Sequence, residues 1–206
     1  MIEGRAMGAM GANCYLYACP ETKKAVIIDP GADGNQIYRW VLEKGVKVDY
    51  ILITHGHVDH IGAVDELREL LGNVLVGIHT GDAGMLTDGK KNLSSYFGPG
   101  LIQKKADILL QDGQELIIGN QRLKVISTPG HSPGGVCFLC TEGLFSGDTL
   151  FAGSIGRTDF PGGSLDQLLA GVKQKLLVLP EETRVFPGHG EETSIGEEKR
   201  DNPFLG

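Results

Sequence analysis

Apolar residues follow two different patterns along the chain. Asn13 to Ala18 and Ala25 to Asp29 are short apolar runs joined through Pro20 to Lys24, the second ending in Asp29-Pro30-Gly31, and together they predict an opening hairpin. Ile37, Trp40 and Val41 then recur at helical spacing up to a stop at Gly45, and Tyr50 to Ile53 returns to an all-apolar strand. Ile61, Val64, Leu67, Leu70 and Leu71 predict another amphipathic helix, stopped at Gly72 and followed by a strand over Val74 to Ile78. Strands that alternate with helices in this way imply parallel pairing in the first half.

The stretch Thr80 to Gly100 is rich in Gly, Asp, Lys, Asn and Ser and predicts a short helix and then a long exposed loop. From Leu116 the pattern changes to strands: Leu116 to Ile118, Leu123 to Ser127, Val136 to Cys140 and Leu144 to Phe145, parted by Gly119-Asn120 and Glu142-Gly143. Leu165 to Leu179 predicts a helix, Arg184 to Phe186 a last strand and Ser194 to Arg200 a short helix. No Pro- or Ser-rich linker separates the halves. Residues 1–206 therefore read as one α/β domain, with two sheets covered by outer helices so that both apolar faces are buried.

Composition narrows the function. With 206 residues and 41% hydrophobic positions the chain can bury its own core. Lys and Arg total 19 against 26 Asp and Glu, a net charge of −7, which argues against a nucleic-acid partner, since phosphate binding rests on clustered cations. The longest apolar stretches fall far short of the roughly 20 residues that cross a bilayer, so no membrane role is expected. The opening Met1-Ile2-Glu3-Gly4-Arg5 has an early acid and no apolar core of a secretory signal, which predicts a cytoplasmic location. Ile2 to Arg5 also coincides with a protease-tag recognition sequence, and reads equally as a first strand. The four cysteines, Cys14, Cys19, Cys137 and Cys140, are too few for a disulfide scaffold and are expected as free thiols. Cys137 and Cys140 form a CxxC, but within an apolar strand residues three apart face opposite sides, which favours burial over a redox or zinc role.

The histidines carry the chemistry. Thr54-His55-Gly56-His57-Val58-Asp59-His60 places three imidazoles and a carboxylate directly after a buried strand. On a helix His55 and His57 would diverge by roughly 200°, whereas at a strand end with Gly56 between them both can face one point. Asp59 and His60 follow at the turn into the next helix and can point to a neighbouring position, so one segment can feed two metals. A chance H-x-H-x-D-H in a chain this long is on the order of 10⁻⁴. His131 in Pro129-Gly130-His131, Asp148 in Gly147-Asp148 and His189 in Gly188-His189-Gly190 each follow an apolar strand at a glycine turn, where α/β folds gather ligands. His79 reads as a supporting or surface residue. Gly84 to Lys91 nearly spells a phosphate-binding loop, but Lys91 replaces the Ser or Thr that would hold Mg²⁺.

With these motifs in this order the chain resembles the metallo-β-lactamase superfamily over nearly its whole length. Asn13-Cys14-Tyr15, Ile28-Asp29-Pro30-Gly31, Gly147-Asp148-Thr149-Leu150-Phe151 and Gly156-Arg157-Thr158-Asp159-Phe160 make it similar to the short glyoxalase II-like, hydroxyacylglutathione hydrolase-like members. The resemblance implies a four-layer αββα sandwich of two mixed sheets with helices on both outer faces. It implies that His55, His57 and His131 bind one metal, that Asp59, His60 and His189 bind a second, and that Asp148 bridges. Asp59 and Asp148 become the catalytic carboxylates, and Asp29 an acceptor for a ligand imidazole. This donor set suits two Zn²⁺ and also admits Fe or Mn.

Such a pair of cations lowers the pKa of a shared water toward about 7 and stabilises the charge of a tetrahedral intermediate. A thiolate leaves without protonation, whereas an amide nitrogen needs an acid, and the sequence offers no dedicated one. Hydrolysis of a small-molecule thioester such as hydroxyacylglutathione is therefore expected. Glyoxalase II proper has a C-terminal helical region for glutathione, and the short stretch after His189 is too brief for it. Arg157 and the loop of Lys90, Lys91, Asn92 and Tyr96 are the candidate substrate contacts. Two rivals follow: a mononuclear iron persulfide dioxygenase, which resembles the chain around Arg157, and a non-catalytic metal-binding protein, disfavoured because structural sites close at four ligands. Hydrolysis of β-lactams is disfavoured by the lack of an export signal.

Overall fold

A computed structural model describes residues 1–206. Its first sheet runs in the order β1 (Ile2–Met7), β2 (Ala12–Ala18), β3 (Lys24–Ile28), β4 (Lys47–Ile53), β5 (Leu75–His79) and β6 (Ile108–Leu110). The strands β3 to β6 pair in parallel, and β1, β2 and β3 antiparallel. Parallel neighbours need long crossovers, supplied here by α1 (Gly34–Lys44), by α2 (Val58–Ile61) with α3 (Val64–Leu71), and by the loop leading to β6. The second sheet consists of β7 (Glu115–Ile118), β8 (Gln121–Ser127), β9 (Val136–Cys140), β10 (Gly143–Gly147), β13 (Arg184–Pro187) and β14 (Thr193–Ser194), with β7 and β14 at its edges. A small hairpin, β11 (Leu150–Phe151) with β12 (Ser154–Ile155), follows β10, and α4 (Leu165–Gly171) and α5 (Ile195–Asp201) cover the outer face.

Side-chain alternation makes four layers out of these strands. Tyr15, Tyr17, Val26 and Ile28 point inward to meet Val125, Val136, Phe138 and Phe145 of the facing sheet, with Tyr15 and Phe145 rings 5.3 Å apart. Cys14, Leu16 and Ile27, one position away, point outward under Ile37, Trp40 and Leu67 of the helices. On the other side Ile126, Cys137, Leu144 and Val185 pack beneath Leu168, Val172 and Ile195. A strand buried on both faces must be apolar throughout, which is why these segments read as continuous apolar runs. The same alternation puts Cys137 in the outer core and Cys140 in the inner one; all four cysteines are free. No helix is long and apolar enough to cross a membrane.

Several elements differ from the sequence reading. Ile2–Met7 is a true strand, tied in by Trp40 Nε1 donating to Glu3 Oε2 at 3.2 Å and by Arg5 stacked 4.5 Å from the Trp40 ring. The expected helix from Ile61 to Leu71 is broken, because Ala63 N–H donates to Pro30 O at 2.9 Å instead of continuing the turn. The helix from Leu165 stays α-helical only to Gly171 and continues as a single π turn, Val172–Leu176. Thr80 to Gly100 is an exposed loop only in part: it carries two 3₁₀ turns, Leu86, Asn92 and Ser94 are buried, and residues 95–99 are exposed.

If the layer between the sheets is the stabilising core, Phe138→Ala should cost about 3–5 kcal/mol of unfolding free energy in urea. Leu42→Ala, 60% exposed on α1, should stay within about 0.5 kcal/mol. Equal costs for the two would contradict this account of the core.

Candidate metal centre

Four loops at the same end of the two sheets carry the histidines and aspartates. The strand β4 delivers His55, His57, Asp59 and His60; the turn after β8 delivers His131; β10 delivers Asp148; and β13 delivers His189. The donor atoms of His55, His57 and His131 lie within 4.8 Å of one another, as do those of Asp59, His60 and His189. Asp148 stands between the groups, its Oδ1 3.4 Å from His60 Nε2 and its Oδ2 3.6 Å from His131 Nε2 and 3.8 Å from His189 Nε2.

Partners outside the cluster dictate which ring nitrogen faces inward. Thr54 Oγ1 gives its proton to Asp29 Oδ2 at 2.6 Å and so accepts the Nδ1–H of His55 at 3.2 Å, leaving His55 Nε2 as a lone pair. His131 Nδ1–H donates to the carbonyl of Arg157 at 2.7 Å, and His60 Nδ1–H to Asp29 Oδ2 at 3.0 Å. The lone pairs of His55 Nε2 and His131 Nε2 therefore oppose each other across 3.2 Å, with His57 Nδ1 3.0 Å from the latter. His60 Nε2 and Asp148 Oδ1 are buried without any hydrogen-bond partner. Buried acceptors turned toward one another, as in the His55–His131 pair, are unfavourable unless a cation lies between them, and the carboxylates around His60 call for positive charge there as well. The residues thus fit a pair of divalent cations, one held by three imidazoles and one by two imidazoles and a carboxylate, with Asp148 able to reach both.

Protonation follows from the same surroundings. Burial, reinforced by the neighbouring imidazoles, pushes His55 well below the ordinary histidine range and His57 to about 3, so both rings are neutral ligands near pH 7. Burial also opposes a charge on His60, but Asp148, Asp29 and Asp59 together outweigh it and raise the ring to about 10; carboxylates that favour a proton there favour any cation. Burial would raise Asp59, yet the hydrogen bond from His189 Nε2, 3.1 Å away, and the His60 charge hold it well below the usual carboxylate range.

The other motifs singled out in the sequence turn out to brace these loops. Asn13 donates its backbone N–H to Gly188 O at 2.7 Å and its side-chain amide to Pro187 O and Gly190 O at 3.0 Å, and Tyr15 Oη donates to Pro187 O at 2.7 Å, so β2 clamps the loop of His189. Gly188 is required by proximity: a Cβ there would stand 2.2 Å from Asp148 Oδ1. The Phe160 ring lies 5.3 Å from His57 and walls the cleft.

Two supports escaped the sequence reading. Asp82, fully buried and far from any motif, accepts from Gly56 N–H at 3.0 Å, Ser132 Oγ at 2.6 Å and Gly134 N–H at 2.6 Å, and so ties the loop of His57 to that of His131. Glu198 of α5 accepts from Gly153 N–H at 3.0 Å, Thr193 Oγ1 at 2.6 Å and Asn202 Nδ2 at 2.7 Å, fixing the β11–β12 hairpin that forms one wall of the cleft. A lone Gly-Asp or a short acidic helix gives no sequence signal for either.

The substrate contacts need correction. Asn92 is buried, and its amide is spent on Met85 O and Leu101 O, both at 2.9 Å, so it organises the loop rather than meeting a ligand. Tyr96 is 74% exposed and stands outside the cleft, and the backbone N–H groups of Lys90 and Lys91 turn toward Asp88. Arg157 does line the cleft, but its guanidinium forms two 2.7 Å bonds to Asp159. His79 meets Ser127 Oγ at 3.2 Å, outside the cluster.

Comparison with known proteins agrees with this geometry. The model of the metallo-beta-lactamase superfamily matches residues 7–189. The chain is 42% identical over 202 residues to a probable metallo-hydrolase, YqgX, of Bacillus subtilis, covering 97% of this chain and 94% of the relative. It is 35% identical to the hydroxyacylglutathione hydrolase GloC of Haemophilus influenzae, covering 99% and 97%. Among solved structures, the BLEG-1 B3 metallo-beta-lactamase superposes with a TM-score of 0.95 at 42% identity, covering 100% and 99% of the two chains. TTHA1623 in a di-iron-bound form superposes with a TM-score of 0.87 at 38% identity, covering 98% and 100%.

Removing the Asp82 carboxylate leaves three buried donors unpaired, so Asp82→Ala should weaken metal affinity about 10- to 100-fold in competition with a chromogenic chelator. Cys140→Ser, in the inner core, should lower the melting temperature while keeping the wild-type metal affinity. Unchanged affinity in the Asp82 variant would remove its bracing role.

Proposed function

We propose, from the premise that the chain belongs to the metallo-beta-lactamase superfamily, that it is a metal-dependent hydrolase of small-molecule thioesters. The observation that carries this reading is the pairing of two donor triads about Asp148 on the floor of a cleft that carries no acidic side chain besides the metal donors. Two divalent cations in such a site supply a nucleophile from water at neutral pH and positive charge for a carbonyl oxygen. Zinc suits the all-imidazole triad, and the di-iron form of TTHA1623 supports iron as an alternative.

The residues of this chain do the rest by position. Asp59 Oδ2 is kept ionised by His189 and can only accept a proton, so it orients water rather than protonating a leaving group. Apart from the metal donors, the polar residues lining the cleft are Ser154 and Arg157, and Arg157 is held by Asp159. Without an acid the leaving atom must depart as an anion, which a thiolate of pKa about 8.5 does readily and an amine does not. Phe151, Ile155 and Phe160 flank the donors with apolar surface, which strengthens the charge interactions beside them. The likeness to GloC, whose name gives a thioester as substrate, supports the same class.

Protein purified without added metal should contain two metal equivalents and cleave S-lactoylglutathione or simpler thioesters. Asp148→Ala should reduce turnover by at least about 10³-fold together with metal content. One iron per chain with oxygen uptake on glutathione persulfide would replace this reading with a dioxygenase. Cleavage of a cephalosporin without thioester turnover would replace it with β-lactam hydrolysis, the activity that the name of BLEG-1 carries.

A further inference from the structure

The cleft over the metal donors has a volume of about 460 Å³, and a second hollow of about 460 Å³ adjoins it. The two share Met10, Val58 and Phe97, and the second continues to Ala9, Pro99 and Leu101 without a single charged residue in its lining. In the first, the one charged group besides the metal donors is Arg157, neutralised by Asp159 and stacked 4.2 Å from the Phe160 ring. Met10 and Phe97 are 50% and 77% exposed, large apolar side chains left on the surface where the hollows meet. Isolated exposed apolar residues need no explanation, but a contiguous apolar patch leading out of a reactive centre does.

Resting on the thioesterase reading, we propose that this trough is the acyl site and that the substrate lays an uncharged hydrocarbon arm along Met10 and Phe97. The inner end of the trough is braced: Asn92 donates to Leu101 O at 2.9 Å and Ser94 Oγ accepts from Leu101 N–H at 2.6 Å, while Met10 and Phe97 form its exposed rim. A glutathione moiety, with two carboxylates and an ammonium, would find no charged side chain in the second hollow, and ionic groups set against an apolar wall lose hydration without return. Soluble thiol carriers keep polar or ionised groups of this kind, whereas the acyl half of a thioester can be pure hydrocarbon. The acyl half is therefore the one that matches the trough, and the carrier is left toward solvent.

The test labels the methyl groups of the four methionines with ¹³C and assigns Met10 from the signal lost in Met10→Leu. The metal-loaded protein is titrated with non-hydrolysable S-alkyl thioethers of N-acetylcysteamine, from ethyl to octyl. The Met10 methyl should shift on binding, and Kd should fall about two- to fourfold for each methylene that enters the trough. Phe97→Ser should flatten that dependence, and S-alkylglutathiones should bind no tighter than the matching N-acetylcysteamine thioethers. A Kd independent of chain length, an unmoved Met10 methyl, or binding more than tenfold tighter through the glutathione half would each overturn the proposal. Parallel assays on acetyl to octanoyl thioesters separate it from the reading it rests on. Hydrolysis without chain-length preference rejects the acyl trough alone, whereas chain-length-dependent binding with no hydrolysis of any thioester rejects the thioesterase.

Discussion

Two imidazole lone pairs held 3.2 Å apart in a buried pocket are the constraint on which the rest of this molecule depends. Left alone, the rings of His55 and His131 would turn away from one another. They stay because the proton of each ring is committed on its far side, to Thr54 and to the carbonyl of Arg157. The inner atoms are thereby left as paired acceptors, which is an unfavourable arrangement in a buried pocket and a ready one for a cation. Asp29 controls two rings at once, His60 directly and His55 through Thr54, and both of its oxygens are used in doing so.

Holding such a cluster is a task for the whole fold. The ligands come from both sheets, and the contacts that align them span long sequence separations: Asn13 with Gly190, Asp82 with Gly134, Glu198 with Gly153. None of these three groups faces the reaction, yet each fixes a loop that does. The α5 helix acts in the same way, through Glu198 and Asn202, on the hairpin of Phe151 and Ile155. This fold supports several chemistries, so the activity must be argued from the cleft itself. Here the cleft combines ionised acceptors on its floor with apolar walls and a neutralised arginine at its rim.

Much of the architecture was legible because strands buried on both faces advertise themselves as apolar runs. The segments β3, β4 and β9 were read within a few residues, and the opposite orientations of Cys137 and Cys140 follow from strand periodicity alone. Shorter elements were not legible. The three residues of β6 and the two-residue strands β11 and β12 carry too little pattern, and the break between α2 and α3 depends on Pro30 O, a partner distant in sequence. Composition marks the loop before Gly100 as polar, but only its outer half is exposed; Asn92 and Ser94 are buried, Asn92 donating to Met85 O and Ser94 Oγ accepting from Leu101 N–H.

The sequence by itself pointed to the candidate donors, because five imidazoles and two carboxylates at strand ends have no cheap alternative use, and the spacing of His55, His57, Asp59 and His60 already splits them between two points. Only the tertiary structure decided which nitrogen of each ring faces the centre, that Asp82 and Glu198 belong to the site's scaffold, and that Asn92 and Tyr96 lie outside it. Local spacing constrains which side chains share a face. Tautomers, braces and cleft walls are set instead by hydrogen bonds and contacts between segments that only folding brings together.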